Sequence, residues 1–202
     1  MEKMTGGVTA AKGFQAASVA AGIKYKDRED MAMIYSEVPC VAAGTFTTNV
    51  VKAAPVKWDR NLVETTGMAQ AVVINAGIAN ACTGEEGFGY CKATADKTEE
   101  VLVASTGVIG MQLPIDRICD GVAKMKDLLK DDLISGNKAA KAIMTTDTHE
   151  KEVAVTFEAG GKTVTIGGMC KGSGMIHPNM CTMLSFVTTD LAISKELLQE
   201  AL

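Results

Sequence analysis

The chain has 202 residues, 47% of them hydrophobic, which is enough to bury a substantial core in one domain or two small ones. Its formal charge of −4 and its lack of a Lys/Arg cluster argue against a nucleic-acid-binding surface and favour a small-molecule ligand. The sequence shows no signal peptide, no apolar run that could span a bilayer and no cysteine spacing typical of a metal site. We therefore expect a cytoplasmic protein with reduced thiols, no bound metal and no membrane contact.

Short strands are predicted in the N-terminal third of the chain. Met31–Ser36 and Val41–Asn49 combine apolar, β-branched and aromatic side chains in the manner of strands. Pro55 is expected at a strand edge or in a turn. The continuous apolar run Ala69–Ile74 is typical of a buried central strand, and we expect it to lead through the loop Asn75–Gly84 into a helix.

A helix and a further strand are predicted after this loop. Thr83 and Glu86 have the spacing of a capping box for a helix that runs through Lys92 and Glu99. The glycines before the helix lack the G-x-G-x-x-G spacing of a dinucleotide site, so no nucleotide is expected there. Val101–Gly110 is an apolar run interrupted by a Thr-Gly step, and by itself it indicates a strand that ends in a loop.

The second half of the chain shows two helix patterns and a hairpin. Pro114–Lys130 has apolar residues at helical spacing and charges on the opposite face, and Asn137–Met144 indicates a second helix. The runs Val153–Phe157 and Lys162–Ile166, separated by a segment with two glycines, predict a β-hairpin. Since no repeat or linker divides the sequence, we expect one architectural unit.

The most informative segment runs from Lys171 to Thr182, reads KGSGMIHPNMCT, and precedes an apolar run typical of a strand. A threonine hydroxyl needs a base to act as a nucleophile, and the residue's own α-amine can serve once the preceding peptide bond is cut. That amine has a pKa of about 7.7 to 8.0, so a sizeable fraction is neutral near working pH. Self-cleavage between Cys181 and Thr182 would therefore create a nucleophile that needs no histidine.

Two other interpretations of this segment remain open. It can be a glycine-rich turn that leads into a buried strand, with Thr182 as the first strand residue. Alternatively, Cys181 could be the nucleophile. A reactive thiolate needs a cationic neighbour to lower its pKa, and only Lys171 and His177 are near in sequence.

The segment closely resembles the processing site of the ornithine acetyltransferase family, also called glutamate N-acetyltransferases, whose precursors cut themselves before the threonine. The resemblance extends over nearly the whole chain and includes Phe46–Asn49, the STGVIG run Ser105–Gly110 and the AIMTTDT run Ala142–Thr148. The chain departs from the family pattern at Cys181, where alanine is most frequent, and at Ile78, where a second asparagine is usual.

The resemblance implies an α/β fold, a layered sandwich of the ornithine acetyltransferase/DmpA-like type, in a self-processing enzyme with an N-terminal nucleophile. It implies that Thr182 is the nucleophile and that Thr106 and Gly107 stabilise the oxyanion. Thr145 and Lys171 would bind substrate together with the nucleophile. A threonine hydroxyl and a glycine N–H suit the oxyanion role because both are compact donors that can approach a negative oxygen closely.

The implied reaction moves an acetyl group from N-acetylornithine to glutamate through an acetyl-threonine intermediate, a step of arginine biosynthesis. No cofactor is implied, although some members accept acetyl-CoA as a donor. Family precursors carry a second half of comparable size, so residues 1–181 would form the first half and residues 182–202 the start of a second half truncated at Leu202. The expected partner is the second-half chain, in a heterotetramer of two processed pairs.

Two alternative functions are kept beside this one. The same threonine could serve an amidohydrolase or aminopeptidase in which water replaces glutamate as the acceptor. A half-chain could also be a non-catalytic partner of another subunit. The product distinguishes the two reactions, because acetyl transfer yields N-acetylglutamate and hydrolysis yields free acetate.

Overall fold

The computed structural model describes residues 1–95, 100–172 and 183–202. Within these ranges the chain forms two four-stranded sheets and five helices. In chain order the elements are β1 (Glu2–Met4), β2 (Phe14–Val19), β3 (Met31–Val41), α1 (Ala54–Thr65), β4 (Met68–Ile78), α2 (Glu86–Ala95), β5 (Val101–Val108), α3 (Ile115–Lys126), α4 (Leu133–Ala142), β6 (Lys151–Ala159), β7 (Lys162–Lys171), β8 (Leu184–Thr189) and α5 (Lys195–Ala201).

The two sheets differ in strand direction. Sheet 1 has the order β2-β3-β4-β5, with antiparallel pairs except for the parallel pair β4–β5. Sheet 2 has the order β1-β6-β7-β8 and is antiparallel throughout. The parallel pair is joined through α2, as parallel neighbours require a crossover connection.

Sheet 1 lies between two apolar layers because successive side chains of a strand point to opposite faces. In β4, Val73 belongs to the buried cluster that includes Ile118 of α3. The next residue, Ile74, belongs to a cluster on the other face with Ile143, just after α4, and Met169 of β7. The layers therefore follow the order α1–α3, sheet 1, then α4 and sheet 2.

The outer face of sheet 2 carries exposed valines. Val153 of β6 and Val187 of β8 are both paired with Gly168 of β7, so their side chains share one face. They are 54% and 61% exposed. Half-buried Val155 and Ile166, which pair with each other, lie on the same face. No helix in the described part of the chain is long and apolar enough to cross a membrane.

Several sequence predictions are confirmed by this arrangement. The central strand is β4, which pairs with both β3 and β5. The two predicted helices in the second half are α3 and α4, and the hairpin is β6–β7. Helix α4 begins earlier than predicted because Asp132 caps it, accepting a hydrogen bond from Ser135 N at 2.7 Å.

The predicted strand Val41–Asn49 is wrong. Strand β3 ends at Val41, which pairs with Met68, the first residue of β4. Ala42 N still donates to Gly67 O at 2.9 Å, but the chain before Gly67 belongs to helix α1 and its end, so residues 43–49 have no continuation of β4 to pair with. The Phe46 ring instead packs against a small buried cluster of Ala42, Val63 and Ala69, and the Arg60 guanidinium lies 5.4 Å from the ring centroid.

The expected position of Pro55 at a strand edge or turn is also wrong. Pro55 lies in the first turn of α1, where the N–H that proline lacks has no partner in a helix anyway. Helix α2 begins at Glu86, and the Thr83 hydroxyl donates to Asn80 Oδ1 at 2.7 Å. The predicted extension of α2 to Glu99 falls in residues 96–99, outside the described residues.

Candidate active site

Three residues predicted from the sequence come together between the two sheets. Thr106 lies near the end of β5, Thr145 follows α4, and Lys171 is the last residue of β7. In β5 the side chain of Thr106 points the same way as that of Ala104, which belongs to the cluster between sheet 1 and sheet 2. This face of sheet 1 packs against α4 and β7, so Thr145, which follows α4, and Lys171, at the end of β7, lie close to Thr106.

Lys171 joins the two threonines. Its Nζ donates to Thr145 Oγ1 at 2.7 Å and to Thr106 Oγ1 at 3.1 Å. An ammonium group can only donate, so both hydroxyl oxygens act as acceptors here, and each hydroxyl hydrogen is directed elsewhere. A hydroxyl held in this way can donate to a substrate atom while its oxygen stays fixed.

Lys171 is an unusually buried cation, only 5% exposed. Burial lowers the pKa of Lys171 below its usual range, the negative charge of Asp147 partly counteracts this, and the positive charge of Lys151 lowers the pKa further. The ammonium is therefore held by neighbouring oxygens and by one nearby carboxylate in a region from which bulk water is largely excluded.

Asp147 was not singled out from the sequence, although it lies in the AIMTTDT run. Its Oδ1 accepts from Lys151 Nζ at 2.7 Å and from Gly172 N at 2.9 Å, and its Oδ2 accepts from Thr145 N at 3.2 Å. Burial opposes the charged form of Asp147, but these hydrogen bonds outweigh it and lower the pKa of the carboxyl group to about 2. Asp147 is therefore a carboxylate at any ordinary pH.

Gly107 is held against a second glycine. It pairs with Gly77 in the parallel register of β4 and β5, with φ values of 135° and 107°. A Cβ at Gly107 would lie 2.2 Å from the carbonyl carbon of Gly77, so no other residue fits this backbone. The residue is exposed, and a ligand can therefore approach its main chain beside Thr106.

Residue 78 is isoleucine where the family usually has asparagine, and a polar network still forms around Asn75. Ser105 Oγ donates to Asn75 Oδ1 at 2.6 Å, and Asn75 Nδ2 donates to the main-chain oxygen of Ile78 at 2.8 Å. The Ile78 side chain is buried in the helix-side core of sheet 1. Because the network uses the backbone of residue 78, it does not depend on an asparagine side chain there.

The predicted nucleophile Thr182 and its neighbour Cys181 lie outside the described residues. The chain on either side of them is described. Lys171 is paired with Leu184 in the β7–β8 ladder, so the described chain stops at Gly172 and resumes at Met183 next to this backbone pair. The roles assigned to Thr182, Thr106, Gly107, Thr145 and Lys171 stay predictions.

The ArgJ family model matches residues 15–202. The chain belongs to the ArgJ family. The arginine biosynthesis bifunctional protein ArgJ of Symbiobacterium thermophilum is 52% identical over 212 residues, which cover 100% of this chain and 52% of that protein. For the protein of the same name from Thermosynechococcus vestitus, the identity is 49% and the match covers 49% of its length. The chain thus spans about half the length of these curated ArgJ relatives.

Solved structures of ArgJ proteins have the same fold. The Bacillus halodurans arginine biosynthesis bifunctional protein superposes with a TM-score of 0.82 at 42% identity, covering 91% of this chain and 97% of that chain. The ornithine acetyltransferase of Mycobacterium tuberculosis, solved in complex with ornithine, gives 0.79 at 46% identity and covers 88% and 97%. The matched ArgJ chains in these structures are therefore close in length to this one.

A more distant likeness concerns the fold alone. The L-aminopeptidase D-Ala-esterase/amidase of Ochrobactrum anthropi, described as a variant of the Ntn hydrolase fold, has a TM-score of 0.61 at 15% identity. Together with the ArgJ structures, it confirms the predicted α/β fold, a layered sandwich with two sheets.

Proposed function

We propose that this chain carries the acetyl-transfer site of a glutamate N-acetyltransferase, which moves an acetyl group from N-acetylornithine to glutamate in arginine biosynthesis. The observation that carries the proposal is the contact of Lys171 with Thr106 and Thr145, beside both ends of the segment that contains Thr182. The names of the ArgJ relatives and the ornithine bound to one of them support the same substrate class.

The first step in this proposal is self-cleavage. The Thr182 hydroxyl attacks the carbonyl carbon of Cys181, the peptide C–N bond breaks, and the nitrogen leaves as an amine that takes up the hydroxyl proton. Water then hydrolyses the resulting ester, which yields a carboxylate on Cys181 and a free amine and hydroxyl on Thr182. The amine then serves as the base for the hydroxyl of the same residue.

Acetyl transfer then proceeds in two half-reactions. The Thr182 oxygen attacks the acetyl carbonyl of N-acetylornithine, its amine accepts the proton, and the proton passes to the departing amino group of ornithine. The negative oxygen that forms receives hydrogen bonds from the Thr106 hydroxyl and from the main chain at Gly107. In the second half-reaction the amino group of glutamate attacks the acetyl ester and restores the Thr182 hydroxyl.

Lys171 suits the binding of an amino-acid carboxylate. An ammonium has three donors, and two of them go to the threonine hydroxyls; among the described residues the third has no hydrogen-bond partner, and we propose that it donates to a substrate oxygen. Because the site is buried, a charge-assisted hydrogen bond there is stronger than one at the surface. Thr145 would hold the same substrate through its hydroxyl hydrogen.

The remainder of the enzyme belongs to the same proposal. ArgJ relatives are about twice as long as this chain, whereas the matched chains in the solved structures are similar in length to it. This difference supports a precursor cut into two chains, of which the second would complete the site. We propose that the enzyme uses no cofactor and that acetyl-CoA is a further acetyl donor. We also propose a heterotetramer of two processed pairs and a cytoplasmic location.

A mass spectrum of the protein expressed at the full length of its gene tests the proposal. After incubation with N-acetylornithine, we expect a new N-terminus at Thr182 that carries an acetyl group, and addition of glutamate should release the group as N-acetylglutamate. Release of free acetate only would favour hydrolysis. Transfer by a protein whose chain never begins at residue 182 would contradict the proposed base.

Three variants assign the nucleophile in the same experiment. Thr182→Ala should abolish both cleavage and transfer, since no hydroxyl remains, and Thr182→Ser should retain part of both. Cys181→Ala is the matched control because alanine is close to cysteine in size and apolarity. If Cys181→Ala lost most activity while Thr182→Ala retained it, the nucleophile would be the thiol.

A further inference from the structure

The carboxylate of Asp147 connects three separate parts of the candidate site. It lies on the loop after α4, and it binds Lys151 of β6, the main chain of Thr145 in its own loop, and the main chain of Gly172 at the end of β7. Its side chain is completely buried. Burying a carboxylate costs free energy unless hydrogen bonds replace its lost contacts with water. The three bonds therefore hold all three partners in fixed positions relative to the carboxylate.

We propose that Asp147 is a positioning residue for both self-cleavage and acetyl transfer, holding Thr145 and Gly172 in one fixed arrangement around Lys171. This inference rests on the proposed function. Gly172 is the last described residue before segment 173–182, so the bond from its N–H anchors the start of the chain that leads to Thr182. The bond from Thr145 N fixes the backbone from which the Thr145 hydroxyl meets Lys171.

The charge of Asp147 adds a second effect on Lys171. Within the described ranges, the charged groups that act on the Lys171 ammonium are Asp147, which raises its pKa, and Lys151, which lowers it. The loop between β2 and β3 contributes Arg28, whose guanidinium donates to the main-chain oxygen of Met144, one residue before Thr145. Of these two charges, loss of the carboxylate leaves the cation Lys151, and a buried ammonium beside a cation deprotonates more readily.

Two substitutions next to Lys171 should shift the pH profile of transfer in opposite directions. Asp147→Asn keeps the size of the side chain and removes its charge, so we expect the alkaline limb of kcat/KM to move to lower pH by about one unit. The same variant should cleave itself about 10- to 100-fold more slowly, because an amide has one acceptor oxygen in place of two and cannot hold Thr145 N and Gly172 N together. Lys151→Gln removes the cation that disfavours protonated Lys171, and the limb should move to higher pH.

Asp190→Asn is the matched control. Asp190 is also bonded to two main-chain groups, Thr165 N at 2.8 Å and Lys12 N at 3.3 Å, but it lies at the end of sheet 2 away from Lys171. The Asp190→Asn variant should lower stability less than Asp147→Asn, because Asp190 is partly exposed, and should leave the cleavage rate and the alkaline limb in place. A purely structural role for Asp147 predicts that Asp147→Asn also leaves both in place, and this result would overturn the inference.

The measurements are intact mass for cleavage and the rate of N-acetylglutamate formation from about pH 6 to about pH 10, a range that spans the titration of a lysine with a lowered pKa. If Asp147→Asn does not fold, the Lys151→Gln variant alone tests the inference, because Lys151 is partly exposed and its replacement should leave the fold intact. An alkaline limb of kcat/KM that does not move in Lys151→Gln contradicts the inference. A wild-type protein that cleaves itself without making N-acetylglutamate contradicts the proposed function, and Asp147 is then judged by the cleavage rate.

Discussion

Lys171 determines which way the hydrogens of two neighbouring hydroxyl groups can point. Since Lys171 donates to the oxygens of Thr106 and Thr145, neither hydroxyl can donate back to it. The positive charge also polarises each O–H bond, which makes it a stronger donor to a developing negative oxygen. One buried cation therefore organises two neutral groups.

A substitution of Thr106 tests the hydroxyl at the residue scale. Thr106→Val has nearly the same shape but no donor, and we expect kcat for acetyl transfer to fall on the order of 10²- to 10³-fold. Thr106→Ser keeps the hydroxyl and should retain most of the rate. Steady-state kinetics at saturating substrate measure both, with circular dichroism to show equal folding. If the valine variant kept kcat within a few-fold of wild type, Thr106 would have no oxyanion role.

The sequence allowed some of these residues to be predicted and concealed others for a physical reason. Thr106, Thr145 and Lys171 stand in motifs that resemble a known family, so their proximity could be expected. Asp147 gains its importance from Gly172, which is 25 residues away in the chain, and from a buried charge balance. Such long-range contacts leave no local spacing by which the residue could be recognised.

Helix α1 protects the open edge of sheet 1. Trp58 Nε1 donates to Val101 O at 3.0 Å, and Asp59 Oδ1 accepts from Val103 N at 2.8 Å. These two side chains bind alternate residues of β5, the edge strand, whose backbone groups would otherwise be open to pairing with another chain. Burial raises the pKa of Asp59 to about 7, while the bond from Val103 N favours the charged form.

The raised pKa predicts a pH-dependent stability at the element scale. In the unfolded chain Asp59 titrates near its ordinary value, so the folded state binds a proton more tightly and is favoured at low pH. This contribution should decrease as the pH rises from about 4 to about 7, by about 2–4 kcal/mol. Urea unfolding followed by circular dichroism at several pH values measures it. Asp59→Asn cannot titrate, so its difference from wild type should depend on pH; a constant difference would contradict the prediction.

The correct and incorrect element predictions have identifiable causes. The β6–β7 hairpin is recognisable in the sequence because larger apolar side chains alternate with smaller or polar ones along both strands and the turn contains two glycines. The sequence does not reveal helix α1, because Pro55 suits a strand edge or a turn as well as it suits a first helical turn. The segment Val41–Asn49 has β-type residues, but after Val41 it has no partner strand in the described structure, and the existence of a partner depends on the fold as a whole.

At the scale of the whole molecule, the outer face of sheet 2 determines how the isolated chain should behave. An exposed apolar surface on a sheet favours self-association. We expect the chain of 202 residues alone to bind a hydrophobic dye and to associate, and Val153→Thr with Val187→Thr should reduce both effects, since threonine retains strand propensity. Light scattering and dye fluorescence measure the change.

A buried valine supplies the control for this surface. Val73→Thr places the same hydroxyl inside the core of sheet 1 and should lower the unfolding midpoint instead of the tendency to associate. An isolated wild-type chain that stays monomeric and binds no dye would show that the exposed valines of sheet 2 do not cause self-association.

The pairing of β7 with β8 has a consequence for a chain cut before residue 182. The ladder runs from Ile166 opposite Thr189 to Lys171 opposite Leu184, so both fragments would remain parts of one sheet after the covalent link is lost. A fragment that begins at Thr182 reaches Leu184 after two residues, a span of about 7 Å at full extension. Its new end would be tethered within that short radius of the Lys171–Leu184 pair, and two polypeptides would share a single hydrogen-bonded framework.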